Sequence, residues 1–273
     1  MNNLKYFLVK NKMIIIIGLV IFICAVSIAI AIYGQITSVD NSISKKQEQN
    51  TNYAELESNF DEIFTNTINK ESTAKQDINY DEIIYCAYNI QNSDENYNID
   101  AKIPLFKIKN EITKEINQEI YNTFAKTIKN IVLEKDGYAT FNLDYVAYVN
   151  NNILSLVIKC TYKDGSNPQR KIIQTYNYDI NSNKLIDINE MLGYKNLNKE
   201  DVEEKVLKKV KEENLENKKF AEQGYNVFIR DENEEMYNIE NTPNFFIGNN
   251  NYLYLVYAYG NNDYTSEIDL VIF

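Results

Sequence analysis

The most apolar stretch of the 273-residue chain runs from Met13 to Tyr33 and contains no charged residue. A helix over this stretch is about 30 Å long, which matches the hydrocarbon thickness of a bilayer. Lys5, Lys10 and Lys12 precede it, and positive charge favours the cytoplasmic side. The pattern predicts an uncleaved signal anchor: a cytoplasmic tail at 1–12, a transmembrane helix at 13–33, and all later residues outside the cell membrane.

Two alternatives to this anchor are a cleaved signal peptide and lipoprotein processing at Cys24; the second is disfavoured because Ile23 occupies a position that requires a small residue. Ala29-Ile30-Ala31 has the small-x-small form of a cleavage site. The apolar run is long for such a peptide, which favours the anchor.

The polar stretch from 34 to 79 contains no proline. Its apolar residues recur mostly at intervals of three and four, which predicts one amphipathic helix. They are Tyr53, Leu56, Phe60, Ile63, Phe64 and Ile68. The polar face of this helix is acidic, whereas a helix lying on a membrane carries basic residues. We therefore interpret 34–79 as a stalk.

From Tyr80 onward, short apolar runs separated by polar turns predict a folded domain over 80–273. One predicted helix runs from Ile108 to Ile131 with apolar residues at every fourth position, and a second begins at the N-cap Asn198 and ends near Asn214. Strands are predicted at 81–90, 97–106, 138–149, 152–162, 170–180, 225–229, 244–247, 252–259 and 267–273. Hairpins around two main helices, without βαβ alternation, predict an α+β fold with an antiparallel sheet.

Composition and charge then limit the chemistry. The formal charge is −11 and the pI is about 4.7, the wrong sign for a protein that must neutralise nucleic-acid phosphates. The absence of histidine removes Ser-His and Cys-His nucleophile pairs and imidazole metal ligands. Heavy use of Asn, Ile, Lys and Tyr points to a genome low in G and C. We expect no enzyme activity, no cofactor and no nucleic-acid partner.

One segment resembles a calcium-binding loop. Asp179, Asn181, Asn183, Asp187 and Glu190 place oxygen atoms at positions 1, 3, 5, 9 and 12 of an EF-hand pattern. Lys184 occupies the position that requires glycine, and the preceding residues have the pattern of a strand rather than a helix. A hairpin turn at 181–183 explains the same residues, and we favour it over a metal site.

Two other groups of residues allow more than one interpretation. The acidic cluster Asp231–Glu235 is either a source of paired carboxylates for catalysis or a solvated loop, and we favour the loop. Cys86 and Cys160 lie in separate predicted strands. They either form a disulfide or remain buried free thiols, and the second interpretation is favoured.

The C-terminal stretch is the most distinctive part of the predicted domain. Residues 252–259 are apolar on both strand faces, which predicts a central, buried strand. The loop from Gly260 to Ser266 that follows is the best candidate for exposed contact with a partner. Its candidate partner-binding residues are Asn261, Asn262, Asp263 and Tyr264.

This ending, together with residues 103–108 (IPLFKI) and 176–192 (YNYDINSNKLIDINEML), resembles a known family. The similarity is to the extracytoplasmic domains of unknown function in RsiV-like anti-sigma factors, which also occur beside the catalytic domain of PdaC-type peptidoglycan deacetylases. It covers roughly residues 80–273. In RsiV the ectodomain senses lysozyme by binding it, so the resemblance implies a sensing or binding module. Because only about a dozen residues precede the apolar run, a sigma factor is not expected as a partner.

The sequence thus favours a membrane-anchored, extracytoplasmic sensing or binding module. Its expected ligand is a cationic protein such as lysozyme or a cell-wall polymer, since an acidic surface favours encounter with a basic partner. Two alternatives stay open: a carboxylate-dependent enzyme that remodels the cell envelope, and a structural subunit of a membrane complex.

Overall fold

The computed structural model describes residues 83–134 and 137–273. The predicted cytoplasmic tail, transmembrane helix and stalk lie outside the described residues. Within the described ranges, no helix is both long enough and apolar enough to cross a membrane.

Six strands form the larger sheet, which we call sheet A. They follow one another in sequence order across the sheet. Their bounds are β1 Ile84–Ser93, β2 Tyr97–Phe106, β3 Ala139–Asn150, β4 Ile153–Asp164, β5 Arg170–Asp179 and β6 Lys184–Leu185. All neighbours are antiparallel except β2 and β3. The α+β class is therefore confirmed, with mainly antiparallel pairing.

The parallel pairing of β2 with β3 corrects the expectation that no βαβ arrangement occurs. Tyr97–Ala101 pair in parallel register with Ala139–Leu143, and the long helical segment connects the two strands. A parallel pair needs a crossover of this kind because the chain must return to the end of the sheet at which it started. Sequence periodicity reports each strand separately and carries no signal of the direction in which neighbours pair.

The crossover helix is divided by a wider turn. It consists of α1 (Glu111–Ile120), a π-helical turn (Tyr121–Ala125) and α2 (Lys126–Glu134). In a regular α-helix, apolar residues spaced by four drift around the axis because one turn takes 3.6 residues. The wider turn offsets this drift, so Ile116, Ile120, Phe124 and Ile128 are all buried against sheet A.

Three further strands form a separate sheet B, in the order β7 (Asn244–Ile247), β8 (Leu253–Ala258) and β9 (Ile268–Ile272). Every residue of β8 is buried, which confirms the predicted central strand. The helices α3 (Ile188–Lys195) and α4 (Lys199–Glu222) pack on one face of this sheet. The sequence predicted neither the second sheet nor the extra length of α4.

The strand predicted at 225–229 is wrong, because those residues are irregular. Their backbone is instead bound by amide side chains of α4. The Asn217 amide nitrogen donates to the carbonyl of Phe228 at 2.8 Å. Asn214 makes a two-bond clamp on the backbone of Arg230, with distances of 2.8 and 2.9 Å. A backbone held by side chains in this way forms no ladder with a neighbouring strand.

The two sheets are joined by side chains rather than by a shared ladder. The Asn177 amide nitrogen of β5 donates to the carbonyl of Phe245 at 2.7 Å, and the amide N–H of Ile247 donates to the hydroxyl of Ser155 in β4 at 3.1 Å. Tyr148 of β3 stacks on Phe246, with ring centroids 6.0 Å apart. These buried polar groups position sheet B over sheet A, since each satisfies a backbone group of β7 that would otherwise be unpaired.

Candidate functional site

Two acidic loops lie at the same end of sheet B. The first, 231–243, leads into β7, and the second, 260–267, connects β8 to β9. Asn244 pairs with Val256 and Ala258 pairs with Ile268 in antiparallel register. The start of β7, the end of β8 and the start of β9 therefore lie at the same end of sheet B. We call loops 231–243 and 260–267 the acidic end.

The charged side chains of the two loops at the acidic end are all carboxylates. No lysine or arginine follows Arg230 in the chain, whereas eight carboxylate residues do. Asp231, Glu234, Glu235 and Asp263 are exposed. Part of the charge is offset by nearby cations: the Lys199 ammonium of α4 lies 2.6 Å from a carboxylate oxygen of Glu240, and the Arg230 guanidinium pairs with Glu267 and Asp269 at 3.6 and 2.5 Å. The remaining carboxylates give this end a negative potential that extends into solvent.

The first loop is anchored to α4 along its length. Besides the Asn214 clamp on Arg230, the Glu203 carboxylate accepts the backbone N–H of Ile239 at 3.1 Å. Asn214 also donates to a carboxylate oxygen of Glu232 at 3.3 Å. The exposed carboxylates of this loop are thus presented from a backbone that is held at both ends.

A buried charged network lies beneath the two loops. The guanidinium of Arg230 donates from Nε and Nη2 to the two carboxylate oxygens of Asp269, at 2.6 and 2.5 Å. The phenol of Tyr259 donates to Asp269 at 2.8 Å, and the phenols of Tyr237 and Tyr259 are 2.8 Å apart. Two side chains, Arg230 and Tyr259, therefore bond to the buried Asp269 carboxylate, and Tyr237 joins the network through Tyr259.

Burial and charge shift the pKa values of this network. Burial opposes the charged form of Arg230, but its hydrogen bonds to Asp269 outweigh that cost and leave the guanidinium pKa above its ordinary value. Burial, with the negative charge of Asp269, raises the pKa of the Tyr259 phenol. Burial likewise raises the pKa of Tyr237 to about 12. At neutral pH the network holds the Arg230–Asp269 ion pair, more distant pairs of Arg230 with Glu213 and Glu267, and two neutral phenols. This is a structural arrangement.

Of the four predicted partner-binding residues, one supports the second loop and three are exposed to solvent. The Asn261 amide makes two hydrogen bonds to the backbone of Ile173 in β5, at 2.9 and 3.0 Å, so this side chain fixes the second loop. Asn262 and Asp263 are exposed. Tyr264 is 52% exposed, and its ring centroid lies 5.5 Å from the guanidinium carbon of Arg170. The structure thus leaves Asn262, Asp263 and Tyr264 accessible to a partner.

The calcium-like segment forms the hairpin that the sequence favoured. Asn183 adopts a left-handed conformation with φ of 54° between β5 and β6. The Asp179 carboxylate accepts the N–H groups of Asn181 and Ser182. Asp187 and Glu190 form the capping box of α3, and Glu190 also pairs with Lys184. In the part of the chain that the structure describes, no group of three or more Cys, Asp or Glu residues is placed to hold a metal ion.

The two described cysteines are both free thiols. Cys160 is fully buried, and burial raises its pKa. Cys86 is exposed rather than buried, and β2 and β3 separate its strand from that of Cys160. The favoured interpretation of free thiols is confirmed, but only Cys160 is a core residue.

Sequence reasoning missed the Arg230 network and the grouping of the two acidic loops. The absence of basic residues after Arg230 was a visible signal of the acidic end. The pairing of Arg230 with Asp269 carries no local signal, because the two residues are far apart in sequence and belong to different elements.

No family model matches the chain, and no curated protein matches it. Among solved structures, the chain is similar to a DUF3298 family protein from Pseudomonas aeruginosa PAO1. The TM-score is 0.37 and the identity 12%, over 64% of this chain and 79% of that one. DUF3298 denotes a domain of unknown function. A likeness at this TM-score carries no argument about function, so the resemblance to RsiV-like domains stays a prediction.

Proposed function

We propose that the described part of the chain is a non-catalytic binding module that captures a cationic protein at its acidic end. The observation that carries the proposal is the one-sided charge of residues 231–273, which hold eight carboxylates and no basic side chain. These residues supply both loops of the acidic end. A partner with a basic surface would gain attraction from several carboxylates at once.

Anchoring of the first loop supports the proposal. Association costs free energy for every segment that must become ordered on binding. The Asn214 clamp and the Glu203 hydrogen bond hold the loop before any partner arrives. The carboxylates of Asp231, Glu234 and Glu235 are therefore displayed at little additional ordering cost.

The second loop supplies contacts of a different kind. The exposed ring of Tyr264, with the amide of Asn262 beside the carboxylate of Asp263, combines apolar area with hydrogen-bonding groups. Tyrosine suits such a role because it offers a large, rigid surface with a polar tip. Charge would steer the partner, and these groups would hold it.

The location follows from the sequence. If Met13–Tyr33 anchors the chain as its pattern predicts, the module faces the outside of the cell membrane, where lysozymes are cationic proteins of the expected class. A cell-wall polymer is the other ligand expected from the sequence. Most such polymers are neutral or anionic, so the acidic end favours the cationic protein.

The binding test uses the full chain in detergent micelles and a lysozyme as the probe. We expect binding at about 20 mM salt that weakens at least tenfold at about 300 mM salt, because screening shortens the range of the attraction. The variant Glu234→Lys/Glu235→Lys should weaken binding by about tenfold or more at low salt. The readout is the Kd from biolayer interferometry.

A matched control keeps the net charge change the same. Glu95→Lys/Glu115→Lys reverses two exposed carboxylates that belong to the first hairpin and α1, and it should change the Kd less than threefold. Equal weakening by both variants would mean that only net charge matters and would overturn the assignment to the acidic end. No binding of the unaltered chain at low salt would overturn the proposed function.

Location is tested separately through the exposed thiol of Cys86. A membrane-impermeant maleimide added to intact cells should modify Cys86 if the module lies outside. Labelling only after the cells are broken would place the module inside and contradict the extracytoplasmic part of the proposal.

A further inference from the structure

A groove of about 720 Å³ lies between the first hairpin and the start of α1. It is remote in the chain from the acidic end, and its lining comes from β1, the end of β2, the β2–α1 connection, α1 and the start of the π-helical turn. Phe106 and Ile108 supply apolar lining, and the amide of Gln118 supplies a polar group. The Asn110 amide also lines the groove, but it caps α1 and donates to the phenol of Tyr178. A groove with apolar walls and a few polar groups is the usual form of a small-molecule site.

A β-bulge places two tyrosines on the same face of β1. Tyr85 pairs with Leu105 and Tyr88 pairs with Ile103, with a register shift between Cys86 and Tyr88. In a regular strand, residues three apart point to opposite faces. Because the partners in β2 are two residues apart, the bulge brings Tyr85 and Tyr88 to one face. Bulges of this kind redirect side chains next to binding sites.

The π-helical turn contributes a third ring. Tyr121 is the first residue of that turn, is 41% exposed and lines the groove. Its ring centroid lies 6.4 Å from that of Tyr88. The bulge and the π-turn therefore bring the exposed rings of Tyr88 and Tyr121 together, and Tyr121 also lines the groove with Tyr85. Such π-turns occur often at functional sites.

Lysines border these rings. Lys107, Lys109 and Lys114 line the groove, and Glu111 is the one carboxylate among its described lining residues. Lys114 pairs with Glu111 at 3.3 Å on the surface. The Lys107 ammonium lies 5.9 Å from the centroid of the Tyr85 ring, within range of a cation–π interaction. The groove is thus locally cationic on a chain whose net charge is −11.

We infer that this groove binds an acidic carbohydrate chain, with sugar rings against Tyr85 and Tyr121 of the lining and the adjoining Tyr88, and sugar carboxylates beside Lys107 and Lys109. The apolar faces of pyranose rings pack on exposed aromatic rings, and their hydroxyl groups bond to amides such as that of Gln118. Lysine suits a dispersed carboxylate as a mobile point charge. The site is independent of the acidic end.

Charge density and ring content distinguish an acidic carbohydrate from other anionic ligands. A nucleic acid also offers stacking rings, but its closely spaced phosphates would be repelled by a protein of net negative charge. An acidic peptide offers carboxylates without ring faces and would leave the tyrosines unused. A carboxylated sugar chain matches both the rings and the moderate positive charge.

The test measures binding of tetragalacturonate to the full chain in micelles by isothermal titration calorimetry. Maltotetraose serves as the uncharged probe, hexaglutamate as the probe without sugar rings, and an oligothymidylate as the nucleic-acid probe. We expect a Kd of about 10⁻⁴ M for tetragalacturonate, typical of a shallow groove, and at least tenfold weaker binding of each other probe. Tyr121→Ala and Lys109→Gln should each weaken binding about fivefold or more, and Tyr121→Phe should retain it.

Matched controls change the same residue types elsewhere. Tyr225→Ala removes a ring that is 63% exposed beyond α4, and Lys129→Gln removes an exposed cation of α2. Neither should change the Kd more than twofold, and Glu234→Lys/Glu235→Lys should not weaken sugar binding. The inference is overturned if tetragalacturonate does not bind below about 10⁻² M, if hexaglutamate or oligothymidylate binds as tightly, or if Tyr121→Ala has no effect.

Discussion

Arg230 and Asp269 form a two-pronged ion pair in the interior, with both side chains only 1% exposed. Arg230 ends the irregular segment that follows α4, and Asp269 lies in β9. The pair therefore fixes the segment that leads into the first acidic loop against sheet B. It explains why residues 225–230 have a defined position without forming a strand.

Removal of one partner of this pair should be strongly destabilising. Asp269→Asn leaves the buried guanidinium with only the more distant and more exposed carboxylates of Glu213 and Glu267, at 3.9 and 3.6 Å. We expect the free energy of unfolding to fall by about 3 kcal/mol. The measurement is urea denaturation followed by circular dichroism. Glu111→Gln, which removes one side of an exposed pair with Lys114, serves as the control and should leave the midpoint unchanged. Equal midpoints for Asp269→Asn and the unaltered chain would contradict the structure.

Replacing each of two glycines by alanine should change the free energy of unfolding in opposite directions. A Cβ at Gly260 would lie 2.3 Å from the backbone oxygen of Lys171 and 2.5 Å from that of Thr265, so the backbone must shift. We expect Gly260→Ala to cost about 3 kcal/mol of unfolding free energy. At Gly193, in α3, a Cβ meets no atom within 4 Å, and Gly193→Ala should gain about 0.5–1 kcal/mol. Thermal melts should show a lower melting temperature for Gly260→Ala and a higher one for Gly193→Ala. Shifts in the same direction for both variants would refute this explanation.

The thiols should differ in reactivity. Cys86 is exposed and Cys160 is buried. Burial raises the pKa of both thiols, more strongly that of Cys160, and the enclosed Cys160 therefore lacks both access and the reactive thiolate form. Native protein treated with a maleimide should be modified at Cys86 within minutes, and Cys160 should react only after unfolding. Mass spectrometry of peptides assigns each site. Modification of Cys160 in native protein at the same rate would show that β4 is not enclosed.

High pH should destabilise the fold through its buried phenols. Burial raises the pKa of Tyr237 to about 12 from its ordinary 10.0. The unfolded chain therefore ionises first, and the contribution of Tyr237 to stability is complete below about pH 10 and is lost as the pH rises towards 12. Unfolding free energies between about pH 8 and pH 11 should fall less steeply for Tyr237→Phe than for the unaltered chain. Tyr225→Phe removes an exposed phenol as the control. A stability that rises over this range would contradict the assignment.

The local elements of the domain were predictable because short-range patterns determine them. The bounds of β2 match the prediction, Asn198 caps α4 with Asp201 as expected, and the buried strand β8 follows from its apolar residues on both faces. Each of these features depends on residues within a few positions of one another. The apolar periodicity ends at Asn214, but α4 continues to Glu222, and there Asn214 and Asn217 bond to the backbone of Arg230 and Phe228 instead of packing in the core.

The candidate sites were predictable only in part. Exposure of Asn262, Asp263 and Tyr264 agrees with the expected contact loop, whereas Asn261 bonds to β5 and supports that loop. The tyrosine and lysine groove was not predicted, because it depends on a bulge and a π-turn. Neither irregularity changes the hydrophobic pattern enough to be seen in the sequence.

The sequence alone determined the α+β class, most helices and strands, the acidity of the domain and the absence of histidine chemistry, since these are properties of composition or of neighbouring residues. Tertiary structure alone decided the parallel pairing of β2 with β3, the separation into two sheets, the Arg230–Asp269 pair and the grouping of the acidic loops. These features join residues far apart in the chain. Their free energy comes from burial and from pairing of polar groups that exist only once the elements have packed.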